Sequence, residues 1–285
     1  MPTRAGSNWR HILMDSDERQ SVQAVARQAL MQCDIEQKLI STHALEHDWL
    51  GGKLSIVPYS EVDAIEDAGR PDRPELVPPS DVPRRGLGTD EGKAAFVHAL
   101  AHIEFNAINL ALDAVYRFHD MPKDYYGDWI RVAREEAEHF VLLRNRLRDL
   151  GYDYGDFASH AGLWDMAKRT ADDVLMRMAL VPRLLEARGL DVTPGMISRL
   201  QSIGDNQTVS CLQVIYQEEL GHVEIGTRWF NLICDQRGLD PQQTYINIIK
   251  SNVSERIRKP INIDARREAG FTELELTFLV QSSLD

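Results

Sequence analysis

The sequence predicts an all-α protein built as a bundle of four long helices, with additional helices at both ends. Apolar residues recur at helical spacing over four stretches, each longer than about 25 residues, which exceeds the usual helix length in soluble proteins. The alternating patterns typical of strands are almost absent. Because helices of this length can surround a buried site and still pack along their remaining turns, a helical bundle is the favoured architecture.

The first 90 residues are predicted to form a helix followed by a proline-rich arm. Apolar side chains recur at helical spacing over residues 17–47, which indicates one helix. Residues 51–90 contain six prolines and little periodicity, which indicates an extended connection. We expect residues 1–90 to pack on the bundle, with the arm either lying along the helices or covering the mouth of a site between them.

The bundle itself is assigned to residues 91–238, and its helices have recognisable ends. The four helices are predicted at residues 90–119, 124–151, 161–188 and 205–236. Thr89 or Asp90 can cap the first helix, because each offers a side-chain oxygen to the free N–H groups at its start. Gly151 suits the end of the second helix, where a left-handed backbone is common.

The third helix contains a proline, Pro182, which is expected to kink it. This helix is predicted to stop at Gly189, and a short helix is expected after Pro194. Residues 239–285 are predicted to form a C-terminal extension of one or two further helices.

The composition narrows the classes of function. The net charge of −12 does not favour a broad surface for nucleic acid phosphates, since such surfaces need clustered lysine and arginine. No run approaches about eighteen apolar residues, the length of a spanning helix, and the N-terminus lacks the apolar core of a signal peptide. Three scattered cysteines fit a reducing compartment. We therefore expect a cytoplasmic protein that binds neither nucleic acid nor membrane.

Two short stretches, EEAEHF and QEELGH, repeat the same arrangement in the second and fourth helices. Glu136 and His139 lie three residues apart, so that they project from one helix face. Glu219 and His222 repeat this pair. One such pair alone would be interpreted as a surface ion pair, and the repetition is what favours a shared site.

The first and third helices each supply one further glutamate. Glu104 lies on a strongly apolar face, where a carboxylate is costly unless something binds it. Glu104 precedes Glu136 by 32 residues, and Glu186 precedes Glu219 by 33 residues. The chain therefore reads as two similar helical hairpins, each with a glutamate on one helix and Glu-x-x-His on the next.

Four carboxylates and two imidazoles that converge inside a bundle predict a site for two metal ions. The carboxylates neutralise two divalent cations, and hard oxygen ligands with two imidazoles suit iron first and manganese as the alternative. The predicted ligands are Glu104, Glu136, His139, Glu186, Glu219 and His222.

Three further residues are predicted to lie behind these ligands. Glu135 and Glu218 each precede a ligand glutamate, and either could itself compete as a ligand. We assign them instead as hydrogen-bond acceptors for the histidine of the opposite helix, because a metal-bound imidazole needs a partner on its other ring nitrogen. His102, near Glu104 in the first helix, is predicted as a similar partner or as a proton donor.

The pattern Glu, Glu-x-x-His, Glu, Glu-x-x-His resembles that of the ferritin-like diiron-carboxylate superfamily. More closely, the chain resembles a bacterial family of ferritin-like proteins of uncharacterised function, through stretches such as RPELVPPSDVPRRGLGT, AHIEFNAINLALDAVYRF, DWIRVAREEAEHF, LGYDYGDFASHAGLWDMA, RMALVPRLLEARGLDVTPGM and EELGHVEIGTRWF. The resemblance spans roughly residues 20–285, and all six ligand positions carry over. It is distantly similar to tRNA-modifying diiron monooxygenases, which hydroxylate a hypermodified adenosine.

The resemblance implies a ferritin-like four-helix bundle with a diiron site, but it implies little about the substrate, since this fold hosts storage, peroxidase and oxygenase chemistry. We expect an oxidoreductase that activates O2 to hydroxylate or oxidise a small or nucleotide-like substrate. An electron-donor protein is a possible partner, and we expect a monomer or a small homo-oligomer. Two alternatives remain open: an iron-handling or peroxide-scavenging protein, and a non-catalytic bundle stabilised by its metals.

Overall fold

The computed structural model describes residues 20–56, 62–253 and 257–284, and these residues are mostly helical. The helices are α1 (Val22–Leu30), α2 (Ile35–Leu50), α3 (Asp90–Arg117), α4 (Lys123–Asp149), α5 (Gly162–Arg169), α6 (Val174–Leu180), α7 (Ala187–Ser202), α8 (Asn206–Gln236), α9 (Pro241–Asn252), α10 (Ile263–Glu268) and α11 (Glu273–Ser282). A π-helical segment, Val181–Glu186, joins α6 to α7, and Pro79–Asp81 forms a short 3₁₀ turn. The prediction of an all-α protein is confirmed.

Extended structure in the described ranges is limited to two short parallel pairs and one isolated bridge. The strands are β1 (Gln20–Ser21), β2 (Leu54–Ser55), β3 (Ile257–Arg258) and β4 (Ser283–Leu284). Strand β1 pairs with β2, and β3 pairs with β4. The bridge joins Leu76 to Ser159, so that the proline-rich arm is fixed to the segment before α5.

The sequence predicted a single helix over residues 17–47, whereas the described part of this region is divided into α1 and α2. Residues 17–19 lie outside the described ranges. Asp34 caps the start of α2. The buried Lys38 ammonium donates hydrogen bonds to the Ala29 and Leu30 carbonyls at the end of α1, at 3.2 and 2.7 Å. A lysine contact replaces the helical hydrogen bonds there, and helical periodicity does not reveal such a contact.

Three of the long helices begin and end close to the predicted positions. Thr89 caps α3 by accepting a hydrogen bond from the Gly92 N–H at 3.0 Å. Gly151 follows α4 with a positive φ of 85°, which explains why glycine occupies this position. Asp205 caps α8. In these helices the capping residues found in the sequence determine the ends.

The predicted third helix differs from the structure in two places, a break inside it and a later end. It is interrupted between α5 and α6, where the buried Arg177 guanidinium donates to the Ala167 carbonyl and to the Thr170 hydroxyl, both at 2.7 Å. Asp173 then caps α6 by accepting from the Leu175 N–H at 2.9 Å. The long side chain of Arg177 thus satisfies the carboxyl end of α5, and the two helices remain separate.

Helix α7 also continues to Ser202, past Gly189, which was predicted to end it, and through Pro194, where a separate short helix was predicted to begin. Pro194 lacks the N–H group that would bond the Leu190 carbonyl one turn earlier. The side-chain amide of Asn262 donates to that carbonyl instead, at 3.1 Å. A residue from the C-terminal region therefore allows the helix to include its proline.

The long helices pack side by side: α3 lies along α4, α7 lies along α8, and α4 contacts α8. The C-terminal region comprises three helices, where one or two were expected, and ion pairs tie it to the segment around α7. Buried Arg183 pairs with Glu275 at 2.9 Å, and buried Arg266 pairs with Asp191 at 2.7 Å. The division of the chain at residues 90 and 238 stays a prediction.

Helix α3 is the one described helix that is long and apolar enough to cross a membrane. However, 72% of its most apolar window is buried inside the protein. Its apolar character is therefore explained by packing between the other helices, as expected for a core helix.

Candidate metal centre

The structure brings the Glu-x-x-His pairs of α4 and α8 together with the glutamate of α3. One ligand atom from each of four residues lies within 4.8 Å of all the others; the four are Glu104, Glu136, His139 and Glu219. His222 adjoins this group, with its Nδ1 atom 3.0 Å from Glu136 Oε1 and 3.8 Å from Glu219 Oε2. The group forms a buried cluster that can hold a metal ion.

Glu186 occupies the last position of the π-helical segment and faces the same space. It lines a cavity with Glu104 and Glu219, and the negative charge of Glu136 acts on its carboxyl group. π-Helical turns within longer helices are rare and often occur at functional sites. Glu186 lies outside the tight four-residue group and forms the periphery of the cluster.

A glycine in α8 allows the π-helical segment to approach this closely. A Cβ atom added to Gly226 would overlap the ring of Pro182. Gly226 lies one turn beyond His222, and Pro182 lies one turn before Glu186. The missing side chain therefore places the segment that carries Glu186 directly against the helix that carries Glu219.

Several polar atoms in this cluster are buried without a hydrogen-bond partner. They are Glu104 Oε2, Glu136 Oε1, Glu186 Oε2, Glu219 Oε2 and His222 Nδ1. The short distance between the Nδ1 atom of His222 and Glu136 is therefore a contact without hydrogen-bond alignment. Buried polar atoms are normally paired, and lone pairs that converge on one space are what a bound cation would satisfy. The donor set, oxygen with imidazole nitrogen, fits a metal ion.

The carboxyl groups do not share their charge equally. Burial, followed by the charge of Glu136, raises the pKa of Glu104 to about 8 and that of Glu186 to about 7. Burial also raises the pKa of Glu219 well above its ordinary value. Burial acts in the same direction on Glu136, but contacts with both histidines outweigh it and lower the pKa of that carboxyl.

The imidazoles compensate part of this negative charge. Burial lowers the pKa of His139, but Glu104 and Glu136 outweigh it and raise the pKa to about 12. Burial is likewise outweighed at His222, where Glu135 and Glu136 raise the pKa well above its ordinary value. The cluster therefore holds protons where a bound metal ion would supply positive charge.

The outer nitrogen of each histidine is bound by a glutamate from the opposite helix. His139 Nε2 lies 2.7 Å from Glu218 Oε2, and His222 Nε2 lies 2.8 Å from Glu135 Oε2. These two crossed hydrogen bonds leave both Nδ1 atoms facing the inner carboxylates. Such contacts fix the orientation of a metal-binding imidazole, and their importance for metal binding stays a prediction.

The two outer glutamates differ in their surroundings. Glu135 also accepts a hydrogen bond from Arg134 at 2.9 Å, and its side chain is 17% exposed. Arg134 is itself held by Glu46 and Glu138. Glu218 is 40% exposed, and in the described part of the chain His139 is its one hydrogen-bond partner. The support behind His222 is therefore the more rigid of the two.

The structure places His102 away from the cluster, so its predicted position is wrong. Its Nδ1 atom lies 2.8 Å from the Tyr154 hydroxyl, and its Nε2 atom lies 3.0 Å from the His160 carbonyl. Residues two positions apart on a helix do not share a face, and His102 therefore points away from Glu104. It anchors the loop before α5 and lines a small cavity with residues of the proline-rich arm.

The cavity that Glu186 lines with Glu104 and Glu219 adjoins the cluster between α3, α5, α7 and α8 and has a volume of about 140 Å³. Glu104, Glu186 and Glu219 reach it, and most of the remaining lining is aliphatic. The residues of the proline-rich arm do not belong to its described lining, so the expectation that the arm covers the site has no support in this structure. The cavity leaves room for a small molecule beside the carboxylates.

Two residues that shape the site are not among those predicted from the sequence, Gly226 and Arg134. Gly226 could have been noticed as a glycine within a long helix, one turn after the Glu-x-x-His pair. Arg134 carries no such signal, because an arginine beside glutamates on a helix is ordinarily a surface ion pair.

Fold and site together define an all-α protein with a buried carboxylate and imidazole cluster able to hold a metal ion. Residues 31–277 match the family described as "Protein of unknown function (DUF455)", and the chain belongs to this family. It is similar to a protein of Haemophilus influenzae described as "Uncharacterized protein", with 46% identity over 233 residues that cover 79% of each chain. No solved structure matches the chain.

Proposed function

We propose that this protein is a dimetal oxidoreductase with a ferritin-like four-helix bundle formed by α3, α4, the continuous helix α6–α7 and α8. The observation that carries the proposal is the convergence of unpaired, buried carboxylate oxygens and an imidazole nitrogen from all four helices. Exposed acidic groups are common without a metal, but these groups are buried away from water, where leaving them unpaired is costly.

The arrangement supports two adjacent metal positions. His139 with Glu104 would bind one ion, and His222 with Glu186 would bind the other. Glu219, whose Oε2 atom lies 3.8 Å from the Nδ1 atom of His222, would complete the ligand set. Glu136 lies between the two imidazoles, at 3.3 Å from His139 Nδ1 and 3.0 Å from His222 Nδ1, and is suited to contact both ions. Four carboxylates would balance two divalent cations, of which iron fits the donor set first and manganese second.

Two redox-active ions in this site would supply electrons to O2, and the chain supplies the surroundings for that chemistry. The outer glutamates Glu135 and Glu218 hold the imidazoles in place and can accept their Nε2 protons. The aliphatic lining of the adjacent cavity excludes water from the reacting groups. An organic substrate that enters this cavity would be hydroxylated or oxidised, in a monooxygenase-type reaction.

The proposal also includes the cellular location, the oligomeric state and the partners of the protein. We propose a cytoplasmic enzyme, as a monomer or small homo-oligomer, that receives electrons from a donor protein and acts on a small molecule. A mineral-storing shell is not part of this proposal; storage needs a hollow oligomer, and a monomer or dimer on a sizing column would argue against it.

The proposal is tested by loading the protein with Fe²⁺ without oxygen and then mixing it with O2. We expect about two ions per chain, as for two-metal sites generally, and a transient visible absorbance after mixing. Glu136→Ala and His222→Ala should lose both results while circular dichroism shows unchanged helix content. Glu138→Ala, which removes an exposed glutamate of the same helix, serves as the control. A ferrous protein that does not react with O2 would contradict the oxygenase proposal.

A further inference from the structure

The cavity beside the cluster has a largely aliphatic wall. It lies between α3, α5, α7 and α8 and has a volume of about 140 Å³. Its wall includes Leu100, Ile103, Leu110, Val192, Met196 and Ile215. Ile103 belongs to this wall and is 47% exposed, so the cavity reaches the surface beside an apolar side chain.

The charged groups of the wall are arranged against binding an anion. The inner end carries the carboxyl groups of Glu104, Glu186 and Glu219, and a bound metal pair would neutralise rather than reverse their charge.

The one basic residue in the described lining, Arg188, is already engaged by the C-terminal region. Its guanidinium donates hydrogen bonds to the carbonyls of Arg258, Lys259 and Pro260 at 2.8, 3.0 and 2.7 Å. It also lies 3.5 Å from the carboxylate of Asp191. These contacts use three of the five N–H groups of Arg188 and set its charge beside Asp191, so a phosphate or carboxylate inside the cavity would have to compete with partners already in place.

We propose that the cavity binds an uncharged hydrocarbon group of the substrate, aliphatic or aromatic, and that any charged part of the substrate stays outside the mouth. This inference rests on the proposed function for its meaning, because it states what lies next to the metal pair. The size fits a group of five or six carbons: an apolar cavity of about 150 Å³ in another protein stays dry and binds benzene or xenon.

The test uses the purified full chain with benzene as the probe and benzoate, phenyl phosphate and benzylamine as charged analogues. Binding is measured by ligand-observed NMR, with and without Mn²⁺. We expect benzene to bind at least about tenfold more tightly than benzoate and phenyl phosphate in both forms, and than benzylamine once Mn²⁺ neutralises the carboxyl groups of the wall, because burying an unpaired charge is costly. Equal or tighter binding of either anion, or of benzylamine to the Mn²⁺-loaded protein, would overturn the inference.

Two substitutions locate the probe. Ala107→Leu adds a side chain inside the cavity and should abolish benzene binding, whereas Leu212→Ala enlarges the cavity and should shift the preference toward butylbenzene. Unchanged benzene binding in Ala107→Leu would overturn the inference. If Ala107→Leu does not fold, the shift in Leu212→Ala decides the question, and the lack of a shift counts against the inference.

Metal binding is measured separately on the same samples, so that the two proposals can fail independently. A protein that binds benzene in the cavity but no metal would contradict the proposed function and leave the cavity inference standing. A protein that binds two metals but no benzene would contradict the cavity inference alone.

Discussion

Removing an outer glutamate should weaken metal binding without removing a ligand. Glu135 and Glu218 contact the outer nitrogens of His222 and His139 at 2.8 and 2.7 Å. Loss of such a partner typically lowers metal affinity about 10–100-fold. Since each tenfold change corresponds to about 1.4 kcal/mol, the expected cost lies between about 1.4 and 2.8 kcal/mol of binding free energy.

The structure indicates that the two glutamates should differ within this range. The Glu135 side chain is 17% exposed and is held by Arg134, so that little water can replace it. The Glu218 side chain is 40% exposed, and water can take over part of its role. We therefore expect Glu135→Ala to approach the hundredfold end of the range and Glu218→Ala to remain near tenfold.

The assay is an anaerobic competition titration of Mn²⁺ or Fe²⁺ against a chelator, with circular dichroism to verify folding. Glu138→Ala is the matched control, because Glu138 lies on the same helix and also pairs with Arg134, at 2.6 Å. It should change the affinity less than about threefold, as expected for an exposed ion pair. Wild-type affinity in both outer variants, or an equal loss in Glu138→Ala and Glu135→Ala, would refute the reasoning.

Three further results are expected. Gly226→Ala should lower metal affinity in the same titration while helix content is kept, because the added methyl group displaces Pro182 and the segment that carries the third-helix glutamate; an unchanged affinity would contradict this. Metal binding should release protons, because Glu104 (pKa about 8) and His139 (pKa about 12) hold protons at neutral pH. Metal affinity should therefore rise with pH through about 8. Calorimetry in buffers of different ionisation enthalpy measures the proton release, and pH-independent binding would count against this prediction. Burial lowers the pKa of Lys38 from 10.5 to about 7, so between these pH values the unfolded chain binds more protons than the folded chain. The free energy of unfolding should therefore rise with pH in this range, relative to that of the Lys38→Met variant. Denaturant titrations that show the same pH dependence for both proteins would disprove this prediction.

Much of the fold could be predicted where local sequence determines structure. The ends of α3, α4 and α8 follow from residues such as Thr89, Gly151 and Asp205, whose caps act within one turn. The breaks and continuations that were missed depend on contacts from further along the chain. Lys38, a residue of α2, bonds a carbonyl at the end of α1. Asn262 bonds the Leu190 carbonyl of α7, although the two residues lie 72 positions apart in the chain.

The candidate site likewise has residues that local sequence predicts and features that depend on contacts between distant parts of the chain. The repeated Glu-x-x-His pairs and their spacing pointed to the residues that cluster, because positions three apart on a helix share a face. By the same rule, His102 lies two positions from Glu104 and does not share its helix face. The π-helical turn before Glu186 depends on the close approach of Gly226 to Pro182, and that contact between two helices has no local signal in either.

The central claim is tested most directly by a crystal structure of the protein grown with Fe²⁺ or Mn²⁺ and recorded at both absorption edges. The account predicts two anomalous peaks about 3.5–4 Å apart, one beside the Nδ1 atom of His139 and the other beside that of His222, with Glu136 next to both. An empty cluster, a single ion away from these imidazoles, or ions that leave Glu104 and Glu186 unbound would contradict it.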